Sequence, residues 1–145
     1  MSRPRHRARE AALQVLYLCE VGRVPVEEAL RTFFETHGEG LPEPVRQFAA
    51  RLVTGTTADQ DALDVLIREH THHWRLERLS VIDRLILRLA AWELRHEPDV
   101  PPAVVLDEAI ELARTFGADE SARFVNGVLE GIRRSAAPDP DDATD

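Results

Sequence analysis

Arg3, Arg5, Arg7 and Arg9 surround His6 and lead directly into Glu10-Ala11-Ala12-Leu13-Gln14-Val15-Leu16-Tyr17. A guanidinium is a planar fork that pairs bidentately with phosphate and stacks on flat rings, so the chemistry this cluster offers is polyanion recognition. A second locus, Glu120-Ser121-Ala122-Arg123-Phe124, sets a cation and an aromatic at the start of a helix, where free N–H groups suit a phosphate. Glu69, His70, His72 and His73 raise the question of a metal, since Glu69 and His73 have the i, i+4 spacing that puts two ligands on one helical face. No second cluster completes a coordination set, so a polar helix end is the better reading and no metal is expected. The sequence contains no Gly-rich phosphate loop, no Gly-x-Ser-x-Gly elbow and no cysteine pair. It therefore nominates no catalytic residue, no cofactor and no enzymatic activity.

These residues need elements to hold them. Ala8, Ala12, Val15, Leu16 and Cys19 follow helical spacing, which places the arginines at the N-terminus of an amphipathic helix. A helix N-terminus carries partial positive charge, and each cation there costs about 0.3–1 kcal/mol at an exposed site. A bound polyanion would offset that cost; the plainer alternative is a solvated, frayed basic terminus. Pro25 opens a second helix through Val26, Ala29, Leu30, Phe33 and Phe34, which ends at Thr36-His37-Gly38-Glu39-Gly40. A third begins near Glu43 or Pro44 and uses Val45, Phe48, Ala49, Leu52 and Val53. It is expected to continue to Leu63, Leu66 and Ile67 as one long helix with a soft point at Thr54-Gly55-Thr56-Thr57.

Farther along, Trp74 to Leu79 reads as a short helical connector. Ser80 caps a helix that buries Ile82, Leu85, Ile86, Leu89, Ala90 and Leu94, and Pro98 terminates it. Pro101 and Pro102 suit the first turn of the next helix, and Gly117 suits its end as a left-handed residue. Asp119 or Ser121 then caps a last helix lined by Phe124, Val128 and Ile132. Helical spacing recurs throughout with no alternating run, which predicts an all-α fold of about seven helices. They form two packed helical subdomains, about 5–70 and 75–134, within one compact domain spanning 1–134. Residues 135–145, with four Asp, two Pro and no large apolar side chain, are expected to be a disordered acidic tail.

Composition narrows the partners. The chain has 145 residues, 43% of them hydrophobic, enough for one core. Its 26 acidic and 18 basic residues give a formal charge of −8, which argues against an indiscriminate nucleic-acid binder but leaves room for a local basic site. Every basic residue is arginine. The single Cys19 lies on the apolar face of the first helix, which predicts a buried thiol and fits a reducing cytoplasm. No apolar run approaches the ~18 residues needed to span a bilayer, so a soluble cytoplasmic protein is expected.

Several segments together carry a family resemblance. They are Arg5-His6-Arg7-Ala8-Arg9-Glu10, Leu79-Ser80-Val81-Ile82-Asp83-Arg84-Leu85-Ile86-Leu87-Arg88, Trp92-Glu93-Leu94, Pro98-Asp99-Val100-Pro101, Asp107 to Ala113, Phe116-Gly117 and Phe124-Val125-Asn126-Gly127-Val128-Leu129. In this order they resemble the NusB family of bacterial transcription antitermination factors, over roughly residues 3 to 134. The resemblance implies an all-helical fold without catalysis that binds the boxA element of nascent ribosomal RNA leaders. It further implies partnership with the small-subunit ribosomal protein NusE within an RNA polymerase antitermination complex.

On that basis the RNA-binding residues are Arg3, Arg5, His6, Arg7, Arg9, Ser121, Arg123 and Phe124. The partner-binding residues are Tyr17, Asp83, Arg84 and Arg88, although Arg84 and Arg88 also fit a solvated face at i and i+4. The chain departs from the family pattern at Pro102 and Ala103, where an aromatic and a lysine are common, and at Leu106-Asp107, where Ile-Asn is common. This neighbourhood is therefore less basic than usual. The alternative function is a helical scaffold that binds only proteins, and the sequence leaves a homodimer open.

Overall fold

The computed structural model describes residues 3–71 and 75–136, the last without its side chain. Among them are seven α-helices, one 3-10 turn and no strand. The chain divides into two compact units, Met1–Ala58 and Asp59–Asp145.

The first unit contains α1 (Pro4–Gly22), α2 (Val26–His37) and α3 (Glu43–Ala58). Pro4 occupies the first turn of α1, where its missing N–H is not needed. Ala8, Ala11, Ala12, Leu13, Val15 and Leu16 are buried along α1, and α1 packs on both α2 and α3. The small alanines let the helices approach closely, and Phe48, Leu52 and Val53 fill the α3 side of the core. Pro25 precedes α2 in extended conformation, as its sequence position suggests.

Cys19 is only half-buried, because the buried stripe ends at Leu16. Partial burial, helped by the adjacent Glu20 carboxylate, still raises its thiol pKa. Alkylation of Cys19 at pH 8 should therefore be slower than that of an unhindered cysteine, a difference a stopped thiol-labelling time course will read.

The third helix ends at Ala58, and a separate α4 spans Gln60–Arg68. The expected long helix thus breaks at Asp59, past the Thr54-Gly55-Thr56-Thr57 patch, which stays helical. Within it, Thr54 Oγ1 donates to the Ala50 carbonyl at 2.7 Å. At the break Asp59 leaves helical geometry (φ −102°, ψ 11°) while its carbonyl accepts from Leu63 N–H, starting α4. The unit boundary accordingly falls at 58/59 rather than near 70, and α4 belongs with the later helices.

The second unit adds the 3-10 turn Leu76–Arg78, α5 (Val81–His96), α6 (Pro102–Phe116) and α7 (Ser121–Ala136). Helices α4, α6 and α7 all pack on α5, and residues Leu85 to Glu93 of α5 are buried without interruption. The one-sided stripe expected of this helix is therefore too narrow: Ile82 and Leu94 are only half-buried, whereas Leu87, Arg88, Trp92 and Glu93 are buried.

Arg88 is the clearest departure, since the solvated face expected of it does not exist. Its Nε donates to Asp64 Oδ1 at 2.7 Å and its Nη2 to Asp64 Oδ2 at 3.0 Å, with side-chain exposures of 6% and 11%. The charges are thus removed from water as a bidentate pair that locks α4 against α5.

Terminal chemistry follows the sequence more closely. Ser80 caps α5, its Oγ accepting from Asp83 N–H at 3.1 Å. Pro101 and Pro102 open α6. Gly117 ends α6, but in extended backbone (φ −95°, ψ −171°) rather than the expected left-handed one. The requirement there is space: a Cβ on Gly117 would lie 2.7 Å from the Ala113 carbonyl oxygen and equally close to Ser121 Cβ and Oγ. Helix α7 continues through Ala136, two residues past the expected end; the remainder of the expected tail lies outside the described residues.

Helix α4 stops at Arg68, with Glu69 as its C-cap. His70 is engaged at Leu66 O, 3.0 Å away, and His72, His73 and Trp74 lie outside the described residues.

Replacing Arg88 with Met leaves a buried carboxylate without its fork and should cost about 3–5 kcal/mol, because breaking one side of a buried pair strands the other charge. Urea denaturation of Arg88→Met against the parent chain measures this.

Candidate nucleic-acid interface

On the first unit, the N-terminus of α1 is organised around Phe48. The Arg5 guanidinium lies 4.3 Å from its ring centroid, that of Arg51 5.0 Å and that of Arg9 5.6 Å. The negative faces of an aromatic ring attract cations, each contact contributing about 0.5–1 kcal/mol at exposed sites and more where water is excluded. Arg7 donates to the Gly40 carbonyl at 3.2 Å. From α3, Arg46 reaches the same loop, donating to Gly38 O at 2.7 Å and Leu41 O at 3.1 Å. Carbonyls and ring faces thus offset the unfavourable placement of cations at the positive end of the α1 dipole.

The expected RNA-binding residues of this arm divide by exposure. Arg3 and Arg5 are exposed, and Arg7 and His6 half-buried; His6 Nε2 lies 3.3 Å from Glu10 Oε1. Arg9 is only 3% exposed. Packed beside Phe48, it helps to hold the start of α1 in place. Arg5 and Arg51 line an open cleft of about 320 Å³ with Gln47, floored by Phe48.

On the second unit, Phe124 lines a groove of about 330 Å³ with Arg78, Ser80, Asp83, Glu120 and Ser121. Phe124 is half-buried, so part of its ring faces the groove although its spacing matches the core residues Val128 and Ile132. Arg123 is exposed. Ser121 is 3% exposed, and its Oγ accepts from Ala118 N–H at 3.0 Å. The hydroxyl thus shapes the turn into α7, which positions Phe124 one turn later. The Asp83 Oδ1 atom is buried and has no hydrogen-bond partner among the described residues. Arg133 and Arg134 both pair with Glu130; the hydrogen bond from Arg133, foremost, holds the Glu130 carboxyl below its usual range. These C-terminal arginines therefore offer less cationic character than their number suggests.

The expected partner residues also separate. Tyr17 is 42% exposed and continues into Leu18 and Val21, which are exposed as well. Asp83 and Arg84 are half-buried. Arg88 is removed from the set by its pairing with Asp64.

Sequence reasoning missed Arg51, Gln47 and Arg78. Arg51 follows Phe48 by one helical turn, a signal hidden because Phe48 reads simply as core. Arg78 had no signal beyond its charge.

These features define an all-helical protein with an arginine-rich terminus and a separate groove lined by the half-buried Phe124. The chain belongs to the NusB family, whose sequence profile matches residues 6–134. The transcription antitermination protein NusB of Sorangium cellulosum is 48% identical over 129 residues, covering 88% of this chain and 90% of the relative. Among solved structures, T. maritima NusB matches with a TM-score of 0.85 at 37% identity, over 95% of this chain and 96% of the other. A chain from the crystal structure of antitermination factors NusB and NusE in complex with dsRNA matches with a TM-score of 0.84 at 26% identity, over 93% and 99%.

Gly117→Ala should destabilise the protein by roughly 1–3 kcal/mol, the usual cost of forcing a methyl group into a packed site. Guanidinium denaturation checks the loss, and because Ser121 Cβ and Oγ are among the atoms crowded, the mobility of Phe124 read by ¹⁹F labelling should rise with it.

Proposed function

We propose that this protein is a transcription antitermination factor that binds boxA RNA of nascent ribosomal RNA together with the NusE ribosomal protein, supporting processive transcription. The observation that carries the reading is the arginine-rich start of α1, with Arg3 and Arg5 exposed, in a chain of the NusB family. The similarity to a chain from a NusB–NusE–dsRNA complex supports both partners.

Arg3, Arg5 and Arg7, with His6 beside them, hold the RNA backbone through charge-assisted hydrogen bonds. Arg123 supplies another cation, and Phe124 presents a ring edge to an unstacked base, the usual mode of single-strand recognition. Tyr17, with Leu18 and Val21, forms an apolar stripe for the protein partner, and Asp83 and Arg84 supply polar contacts. Binding and assembly, without catalysis, constitute the activity, and its setting is the cytoplasm, where the RNA polymerase antitermination complex forms. No helix among the described residues is long and apolar enough to cross a membrane.

The test is binding to boxA RNA and to a scrambled control, with and without the NusE-type partner, at several salt concentrations. The parent chain should prefer boxA, bind more tightly with the partner, and lose affinity as salt rises. The Arg3→Ala, Arg5→Ala, Arg7→Ala triple variant should weaken binding at least tenfold and flatten the log K against log[salt] line by about 0.7 per lost phosphate contact. Equal binding to both RNAs, unaffected by the triple variant, would instead leave a protein-binding scaffold.

A further inference from the structure

We infer that the groove on the second unit takes a guanine base of the bound RNA, and that Arg78 of the 3-10 turn is the residue that reads it. The inference rests on the RNA-binding reading above and deepens it, naming the base that Phe124 meets and a contact that lies outside the arginine-rich terminus.

Three observations carry it. The groove of about 330 Å³ is lined by Phe124, Leu79 and Ala118 and by the charged side chains of Arg78, Asp83 and Glu120. Its size is that of a small-ligand site, and its aromatic wall suits a flat ring. Second, two carboxylates and one guanidinium line it, so a phosphate entering the groove would be repelled, whereas an uncharged base would not. The exposed Arg123 does not line the groove and holds the adjacent backbone outside it. Third, Arg78 is exposed, and among the described residues no hydrogen bond or ion pair ties its guanidinium to either carboxylate. Opposite charges thus line one groove without closing on each other, leaving donors and acceptors for a single occupant. Guanine answers both signs. Its O6 and N7 accept bidentately from a guanidinium fork, while its N1–H and N2 amino group donate to a carboxylate. Adenine puts an amino donor beside N7, where the fork would meet like with like, and the pyrimidines have no N7.

The experiment measures binding of the full chain, with the NusE-type partner, to boxA RNA and to the scrambled control. A further set of boxA RNAs has each guanosine in turn replaced by 7-deazaguanosine, which lacks N7. In the parent, one such replacement should weaken binding about tenfold. Arg78→Met should weaken binding to unmodified boxA RNA by a similar factor and make that replacement silent. Its salt slope should equal the parent's, because no phosphate contact is lost. Parent affinity indifferent to every replacement overturns the proposal, as does an Arg78→Met variant that binds as tightly as the parent. A salt slope shallower by about 0.7 in Arg78→Met makes Arg78 a phosphate contact, and a loss confined to partner binding without RNA makes the groove a protein site; either overturns the guanine site while the RNA-binding reading stands. A lowered Tm with equal losses on boxA and scrambled RNA makes Arg78 structural and overturns it too. If the parent itself shows no preference for boxA over the scrambled control, the RNA-binding reading fails and the guanine site fails with it.

Discussion

The buried pair between Asp64 and Arg88 is the constraint on which the second unit turns. Two unit charges are withdrawn from water there, a step that costs several kcal/mol per ion and is offset only when the geometry is close to ideal. The two parallel hydrogen bonds at 2.7 and 3.0 Å meet that condition. Because a sliding or rotated α4 would strand both charges, the pair fixes the register of α4 on α5 far more sharply than Leu63 and Ile67 could, whose burial is non-directional. Helix α5, held this way on one side, supports α6 and α7 on others, and so supports the turn that carries Phe124.

The first unit resolves a different conflict. Its arginines stand at the end of α1 where cations are least welcome, and the fold answers with an aromatic face and a loop of carbonyls. The answer sorts the residues into roles. Arg9 is buried in the fold, Arg3 is exposed, and Arg5 is positioned by a ring that does not neutralise it. A charge–charge partner would have weakened Arg5 toward phosphate; a ring quadrupole orients it while leaving its net charge available.

Much of the helical architecture was legible because proline, glycine and capping signals coincide with changes in apolar periodicity, as at Pro25, Ser80 and Pro101-Pro102. The break between α3 and α4 was not, since Asp59 is flanked by neither proline nor glycine, while the glycine-containing patch that resembled a soft point remained helical. Pairwise facts were hidden as well. Nothing in a linear reading tells that Arg88 meets a carboxylate 24 residues earlier, so the sequence supports only the ordinary expectation for arginine, a solvated face. The same limit applied to Arg9 and Ser121, whose motif positions suggested contact with a ligand and whose burial gives them structural work. Gly117 was placed correctly at a helix end for a conformational reason, whereas the structure requires it for a steric one. The missed Arg51 shows the converse: a core aromatic can also be a mount for cations.

That mount has a consequence for how the surface can be controlled. The chain contains no lysine, so the forks on Phe48 are guanidiniums, which are not substrates for lysine acetylation. An acetyltransferase has no handle on this charge. Attenuating it takes competing ions, a competing polyanion, or arginine methylation, which blocks the hydrogen-bonding edge and spares the charge.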